Sequence, residues 1–450
     1  MTSTSGRFAN ASVTTPKRGR STPPIDPRHC RATAYRSLIT EPLIKSRSGA
    51  MIGALAFSTL ATGLLQICLP LELVQLRASP EATGLTLSMF GFGMFAFEWL
   101  WGVVADRVGY RAPLIASQVL YAAFIVLLSR VDSVALIAVS YLLASGMMVA
   151  VGPIARSYLG TALHSRLRAT GLALLASQWV IAEAVGAGAG GALIDRLPIH
   201  DVMLAGAVLP LISAILVAVV FRGYTLADHH SRIDFDDKAE QSRSGGRSTV
   251  IRVLAVTATL VLLIQIGLGG ELALLPLLVT NQLHMSASAA GSAMLAVGLI
   301  AGLLLVPGGN AADRWGRKPA MIAGGVLTAA GYVTYALAGN LVIVIAGAAI
   351  RAVGASLIWP AATAWIAESM PRRRHAFYMG LFGEFENIGV TVGPIIGGLV
   401  WSVAGIRTAF YAFAIAAVMA AVVAALTVSV RDVSTAHPAE ALVQDLEGRR

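Results

Sequence analysis

Five carboxylates stand inside long apolar stretches of this 450-residue chain: Glu98, Glu183, Glu271, Glu384 and Glu386. A charged side chain in hydrocarbon is costly, so an acid retained there marks a polar cavity, an ion pair or a proton-carrying site. Glu98 lies eight residues before Asp106, and Glu384 about eight residues into its own apolar stretch. At 1.5 Å per helical residue both sit about 12 Å inside the same boundary. Carboxylates at one depth cannot all stay ionised cheaply, so at least one is expected to hold a proton, which is what a proton-coupling site requires. Glu98, Glu384, Glu386 and Glu183 are the candidates, and Glu271, towards the other boundary, is set aside. Glu384 and Glu386 point about 200° apart on a helix, so only one can face a given neighbour. Glu386 shares a stripe with Gly389, Gly393 and Gly397 and is the first choice. Arg351 lies near the middle of another apolar stretch, where an unpaired guanidinium would be intolerable; it needs a carboxylate or an anionic substrate.

The elements that must hold these groups follow from composition. Apolar residues make up 56% of the chain and charged residues only 13%, with a mean hydropathy of +0.72, which excludes an ordinary soluble domain. Residues 272–312 and 321–350 contain no Asp, Glu, Lys or Arg. About 20 apolar residues cross a bilayer core, and only helices and closed barrels satisfy the backbone there. Polar punctuation predicts helices at 50–76, 83–104, 112–129, 133–157, 171–193 and 202–221, then 251–281, 287–309, 319–338, 341–368, 377–403 and 408–429. The expected fold is all-α integral membrane, with twelve transmembrane helices in two pseudo-symmetric six-helix bundles.

The second six repeat the first. Gly102, Asp106, Arg107, Gly109 and Arg111 recur as Gly309, Asp313, Arg314, Gly316 and Lys318, with Arg317 added, and Asp313 follows Asp106 by 207 residues (313 − 106). Pro153 and Pro360, and Gly186 and Gly393, keep that interval. A duplicated hydrophobic chain of this kind places its site between the halves. The motif is expected in the loops after helices 2 and 8. There glycine allows close approach and reversal, Asp can meet the positive N-terminus of a neighbouring helix, and Arg can hold a carboxylate. Glu368, at the end of helix 10, is the candidate partner for Arg314 or Arg317. A merely orienting role for these loops is the simpler alternative, but two copies in register argue against it.

This arrangement resembles the major facilitator superfamily over residues 49–430. The resemblance implies a conformational latch, with Asp106 holding the start of helix 11 and Asp313 facing helix 5. Two departures weaken the first-half copy: Tyr110 replaces a basic residue, and Thr161 stands where Glu368 stands in the second half. The resemblance also places helices 2 and 11 side by side and makes helices 1, 4, 7 and 10 the cavity wall. Thr62, Gln66, Tyr141, Met148, Gln265, Arg351 and Trp359 are then substrate-cavity candidates, with aromatic and Met side chains suited to varied apolar ligands. Gly389, Gly393, Pro394 and Gly397 form a glycine-proline pattern that marks proton antiporters when it stands on helix 5. Here helix 5 keeps only Gly186 and Gly190 of it, with Ala187 in place of the proline. Read as packing alone, the small residues let helices approach backbone to backbone.

Residues 1–48 form a basic tail, 222–250 a polar linker between bundles 49–221 and 251–430, and 431–450 a second tail. Arg and Lys accumulate in one set of alternate loops, so that face and both termini are expected to be cytoplasmic, in an inner membrane. The basic tail is expected to touch anionic lipid and no nucleic acid. Asp228, His229 and His230 in the linker lack spaced partners for a metal, and Cys30 and Cys68 make no framework. With no phosphate-binding Gly-rich Lys loop and no nucleophile-base pair, neither an ATP engine nor an enzyme is expected, and no cofactor. The expectation is therefore a monomeric secondary transporter that exchanges protons for hydrophobic or amphipathic small molecules. The alternative is a proton symporter for an anionic metabolite anchored at Arg351.

Overall fold

The computed structural model describes residues 47–163, 165–222, 247–369 and 375–428. The basic tail, most of the linker, Arg372, Arg373, Arg374 and the C-terminal tail lie outside them. Among the described residues the chain forms twelve long helical elements and no strand. They are α1 (Arg47–Gln75), α2 (Pro80–Val108), α3 (Arg111–Leu128), α4 (Val134–Ala162), α5 (Ser165–Ile194) and α6 (Ile199–Val220). After the linker come α7 (Arg247–Leu277, continued by a π turn, Leu278–Gln282), α8 (Ala287–Trp315), α9 (Arg317–Ala336), α10 (Leu341–Ser369), α11 (His375–Ala404) and α12 (Ile406–Thr427). Eleven are apolar and long enough to cross a bilayer, and α9, 20 residues rich in glycine, is the twelfth.

Prolines account for two interruptions. α4 breaks between Met148 and Val151, where Pro153 has no N–H to give the Val149 carbonyl, and α6 breaks at Ala207, four residues after Met203 and three before Pro210. The duplication is visible in the caps: Ser79 accepts from the Ala82 N–H and Ser286 from the Ala289 N–H, each at 3.2 Å and 207 residues apart.

The motif departs from the sequence expectation. Residues 102–108 and 309–315 are the last turns of α2 and α8, not loops, so those helices run past the predicted ends at 104 and 309. The reversal comes only at Gly109 (φ 80°) and Gly316 (φ 92°), the left-handed positions that favour glycine. The face carrying both motif copies is called the motif face below, and the opposite one the far face.

Between the halves, α2 packs on α11 and α5 on α8, closest towards the far face. A Cβ on Gly191 would lie 2.5 Å from the Ala287 carbonyl oxygen, and one on Gly398 2.5 Å from that of Pro80. Gly191 and Gly398, like Pro80 and Ala287, are 207 apart, so the two seams are copies of one contact. Towards the motif face the α2–α11 seam parts: Gly102, Gly380 and Gly383 would meet nothing within 4 Å. The halves are closed at the far face, and the α2–α11 seam is open at the motif face.

Candidate functional site

Where the α2–α11 seam begins to part, Glu98 reaches across it. Its Oε2 accepts from Asn387 Nδ2 of α11 at 2.8 Å, and its Oε1 pairs with Arg156 of α4. Glu98 is the electrostatic neighbour of both Glu384 and Glu386. The expected meeting of these acids is therefore present, with one change of phase. Glu386 accepts from Trp359 Nε1 of α10, and its stripe turns away from α2: a Cβ on Gly389 would meet Gln265 of α7 at 2.5 Å, and Gly393 abuts Ile266 and Gly270. The α2-facing stripe is Asn387, Thr391, Pro394 and Gly398, which meet Glu98, Gly91 and Gly84. Their spacings of four, three and four residues are one face of a 3.6-residue helix, and Glu384, three residues before Asn387, belongs to it. The choice of Glu386 as the acid facing α2 is thus corrected in favour of Glu384, because the glycine stripe is used against α7.

Glu183 is held elsewhere, inside the first half, where Gln66 Nε2 of α1 donates to it and Gln178 Nε2 donates to Thr59 Oγ1 at 2.8 Å. The α1–α5 contact beneath is backbone to backbone at Gly186, while Gly190 rests on Leu64 and Ile67. In the second half Gly397 packs on Leu274 and Phe413.

A small central cavity of about 20 Å³ is lined by Gln66, Leu87, Phe90, Tyr141, Leu272 and Val390, so α1, α2, α4, α7 and α11 all contribute. Its wall is apolar apart from the Gln66 amide and the Tyr141 hydroxyl. The other cavity candidates have different places. Thr62 is buried against the Tyr121 hydroxyl at 3.1 Å, Met148 is fully buried in the core at the break of α4, and Trp359 serves Glu386.

Arg351 has the carboxylate that its depth requires, but it does not line the central cavity. Its Nε lies 2.8 Å from Glu271 Oε2, with both side chains buried, and Tyr335 donates to Glu271 Oε1 at 2.9 Å. The second Tyr, Tyr332, stands 3.5 Å from Oε2. The guanidinium is neutralised inside the second half, between α7, α9 and α10, by the acid that the sequence reading had set aside. No sequence signal links residues 80 apart; only the depth of Arg351 demanded a carboxylate.

At the motif, Asp106 is exposed beside Arg107 in the last turns of α2, and Arg111 starts α3. In the second copy Arg317 pairs with Asp313 one turn away, and Arg314 is exposed. The Glu368 side chain and the first side chains of α11, the expected partners, lie outside the described residues. Tyr110 fills its departure from the motif with packing: it is buried, stands edge-on to Tyr158 of α4 (5.7 Å, 82°), and its hydroxyl lies 3.2 Å from Ser157 Oγ.

One far-face contact escaped the sequence reading. Asp195, just past α5, accepts from the backbone N–H groups of Ala287 (3.1 Å) and Ser288 (3.2 Å) and from the Ser288 hydroxyl, capping α8 of the other half. The bond from Ser288, aided by the two backbone N–H groups, holds the Asp195 carboxyl below the usual range despite slight desolvation. On the other seam the Ser402 hydroxyl, which donates to Leu399 O at 2.9 Å, sits beside the Glu81 carboxylate. Asp195 and Ser402 are 207 apart, and so are Glu81 and Ser288. The two halves keep the acid-hydroxyl pair and exchange which helix carries the acid, a signal open to anyone aligning the repeat.

Comparison with known proteins accords with this geometry. The profile of the Major Facilitator Superfamily matches residues 51–270 and 254–446. Multidrug resistance protein MdtH of Edwardsiella ictaluri (strain 93-146) is 36% identical over 115 residues, 24% of this chain and 28% of that protein. The match thus spans only about a quarter of that relative's length. Among solved structures, a bacterial homologue of the human lysosomal transporter Spinster, inward-facing and unoccupied, superposes with a TM-score of 0.69 at 12% identity, covering 86% of this chain and 97% of the other. The nucleoside transporter NupG gives 0.65 at 16%, covering 85% and 98%.

Proposed function

Because the chain belongs to the Major Facilitator Superfamily, we propose that it is a secondary active transporter that exports hydrophobic or amphipathic small molecules in exchange for protons by alternating access. The observation that carries this reading is the carboxylate group at the α2–α11 seam. Glu98 bridges the halves through Asn387, with Glu384 and Glu386 beside it and Arg156 as the counter-charge. Among the described residues Arg156 faces two of the three acids, Glu98 and Glu386, so proton occupancy sets the net charge at a seam that opens and closes. The bond between Glu98 and Asn387 needs the seam closed at that level. A proton taken up there changes the bond's strength, and that is how a gradient biases the conformational equilibrium. The driving force is about 2.3 kcal/mol per charge per 100 mV, plus the chemical gradient.

The wall of the central cavity, apolar apart from one amide and one phenol, favours apolar over charged ligands, and the cavity must widen from room for about one water to admit them. The multidrug name of the partial relative points the same way. Import of an anion anchored at Arg351 is disfavoured because Glu271 already neutralises that guanidinium. The motif face is taken as cytoplasmic from the Lys and Arg distribution, which places both termini on that side of an inner membrane, and a single chain contributes both seams. Inverted membrane vesicles should accumulate a labelled lipophilic substrate when energised, and an uncoupler should abolish the uptake. Uptake unaffected by the uncoupler would refute proton coupling, and uptake only into right-side-out vesicles would reverse the direction.

A further inference from the structure

A second constellation of ionisable groups lies at the far face of the first half, away from both seams. Glu72 near the end of α1, Asp132 in the turn between α3 and α4, and His200 at the start of α6 each bring one potential ligand atom to within 4.8 Å of the others. His200 Nε2 is 3.3 Å from Glu72 Oε1 and 3.7 Å from Asp132 Oδ1. The Glu72 side chain is only 3% exposed, and its Oε2 is buried without any hydrogen-bond partner. Among the described residues no Lys or Arg pairs with either acid.

The orientation of the ring is informative. His200 Nδ1 stands 3.2 Å from the Ser129 carbonyl oxygen, which can only accept, so Nδ1 carries the hydrogen. Nε2 then faces two carboxylates, and either a proton on Nε2 or a bound cation must stand between them; the second Glu72 oxygen, buried without a partner, favours the cation. A backbone carbonyl on the remote nitrogen is also the outer-shell arrangement that fixes the tautomer of metal-bound histidines. The two distances from His200 Nε2, 3.3 and 3.7 Å, suit such a site: tetrahedral ligands at about 2.0–2.1 Å from zinc lie about 3.4 Å from one another. Imidazole with carboxylate suits zinc and its transition-metal neighbours better than magnesium or calcium. Asp132 is 77% and His200 39% exposed, so an ion can enter from solvent and keep a water as fourth ligand.

We propose that Glu72, Asp132 and His200 form a binding site for a divalent cation of the zinc type, which clips together the far-face ends of α1, α6 and the α3–α4 turn. The full-length protein in detergent, stripped with chelator, should bind one equivalent of Zn2+ at pH 7.5 by equilibrium dialysis, with a rise in its thermal unfolding midpoint. Co2+ should give a tetrahedral visible band. Asp132→Asn, a change at an exposed position, and His200→Ala should each weaken binding at least tenfold while leaving the metal-free midpoint near wild type. Absence of zinc binding, or binding equal in wild type and both variants, overturns the proposal. So does a metal-free protein that gains stability from pH 8 to 5.5 through His200 and is indifferent to zinc, because a proton would then hold the place assigned to the metal.

Discussion

Asp195→Ala tests whether the far-face cap governs the conformational equilibrium. The substitution removes the acceptor for two backbone N–H groups and one hydroxyl at the start of α8, bonds that exist only while the far face is closed. A side-chain cap contributes about 0.5–2 kcal/mol, and solvent around Asp195 sets the lower half of that range. About 1 kcal/mol is roughly a fivefold shift of a two-state equilibrium towards the far-face-open form. Asp195→Asn, which keeps an acceptor and loses the charge, should shift it less. The pH sign follows from the depressed carboxyl: the contribution is fully present above the ordinary Asp range and is lost only as pH falls through the lowered value. The Asp195 contribution, read as the difference in closed fraction between wild type and Asp195→Ala, should therefore be flat from about pH 8 to 5 and vanish only in stronger acid. Spin labels on the far-face ends of α5 and α8, read by pulsed dipolar spectroscopy, report the distance distribution directly. Identical distributions for Asp195→Ala and wild type would show that the cap closes nothing.

Glu98→Gln and Glu384→Gln should each abolish gradient-driven accumulation while sparing energy-independent exchange; wild-type accumulation in both removes the seam from the coupling mechanism. Asp106→Asn should leave a well-folded protein that cycles slowly, since a charged helix cap is worth about 0.3–2 kcal/mol, and full transport by a normally expressed variant rules out a latch at that position. Arg351→Ala strands Glu271 and should cost about 3–5 kcal/mol in thermal unfolding, whereas Arg351→Met combined with Glu271→Gln should cost much less. Equal losses in the single and double variants would mean that the pair is not the unit.

Helix number, helix order and the repeat were legible because lipid forbids most alternatives: uncharged runs of 41 and 30 residues have to be helix, and a 207-residue interval kept by Asp, Gly and Pro together has to be duplication. Helix ends were less legible. A glycine inside residues 102–108 does not stop a helix, and only the backbone reveals that the turn waits for Gly109. Side-chain partners were least legible, because a charge states its need for a counter-charge and not its address. Arg351 illustrates this most clearly. Stepping back 207 residues from Glu271 and Arg351 gives Leu64 and Ala144, and stepping forward from Gln66 and Glu183 gives Ala273 and Val390. Each half therefore buries a polar pair where the other is apolar, so the repeat that predicts the backbone gives no guide to these interiors. At the far-face seams the same repeat keeps its acid-hydroxyl pairs. The contacts that close the molecule have stayed symmetric while the bundle interiors have diverged, as expected if both seams open together and only the interiors are free to specialise.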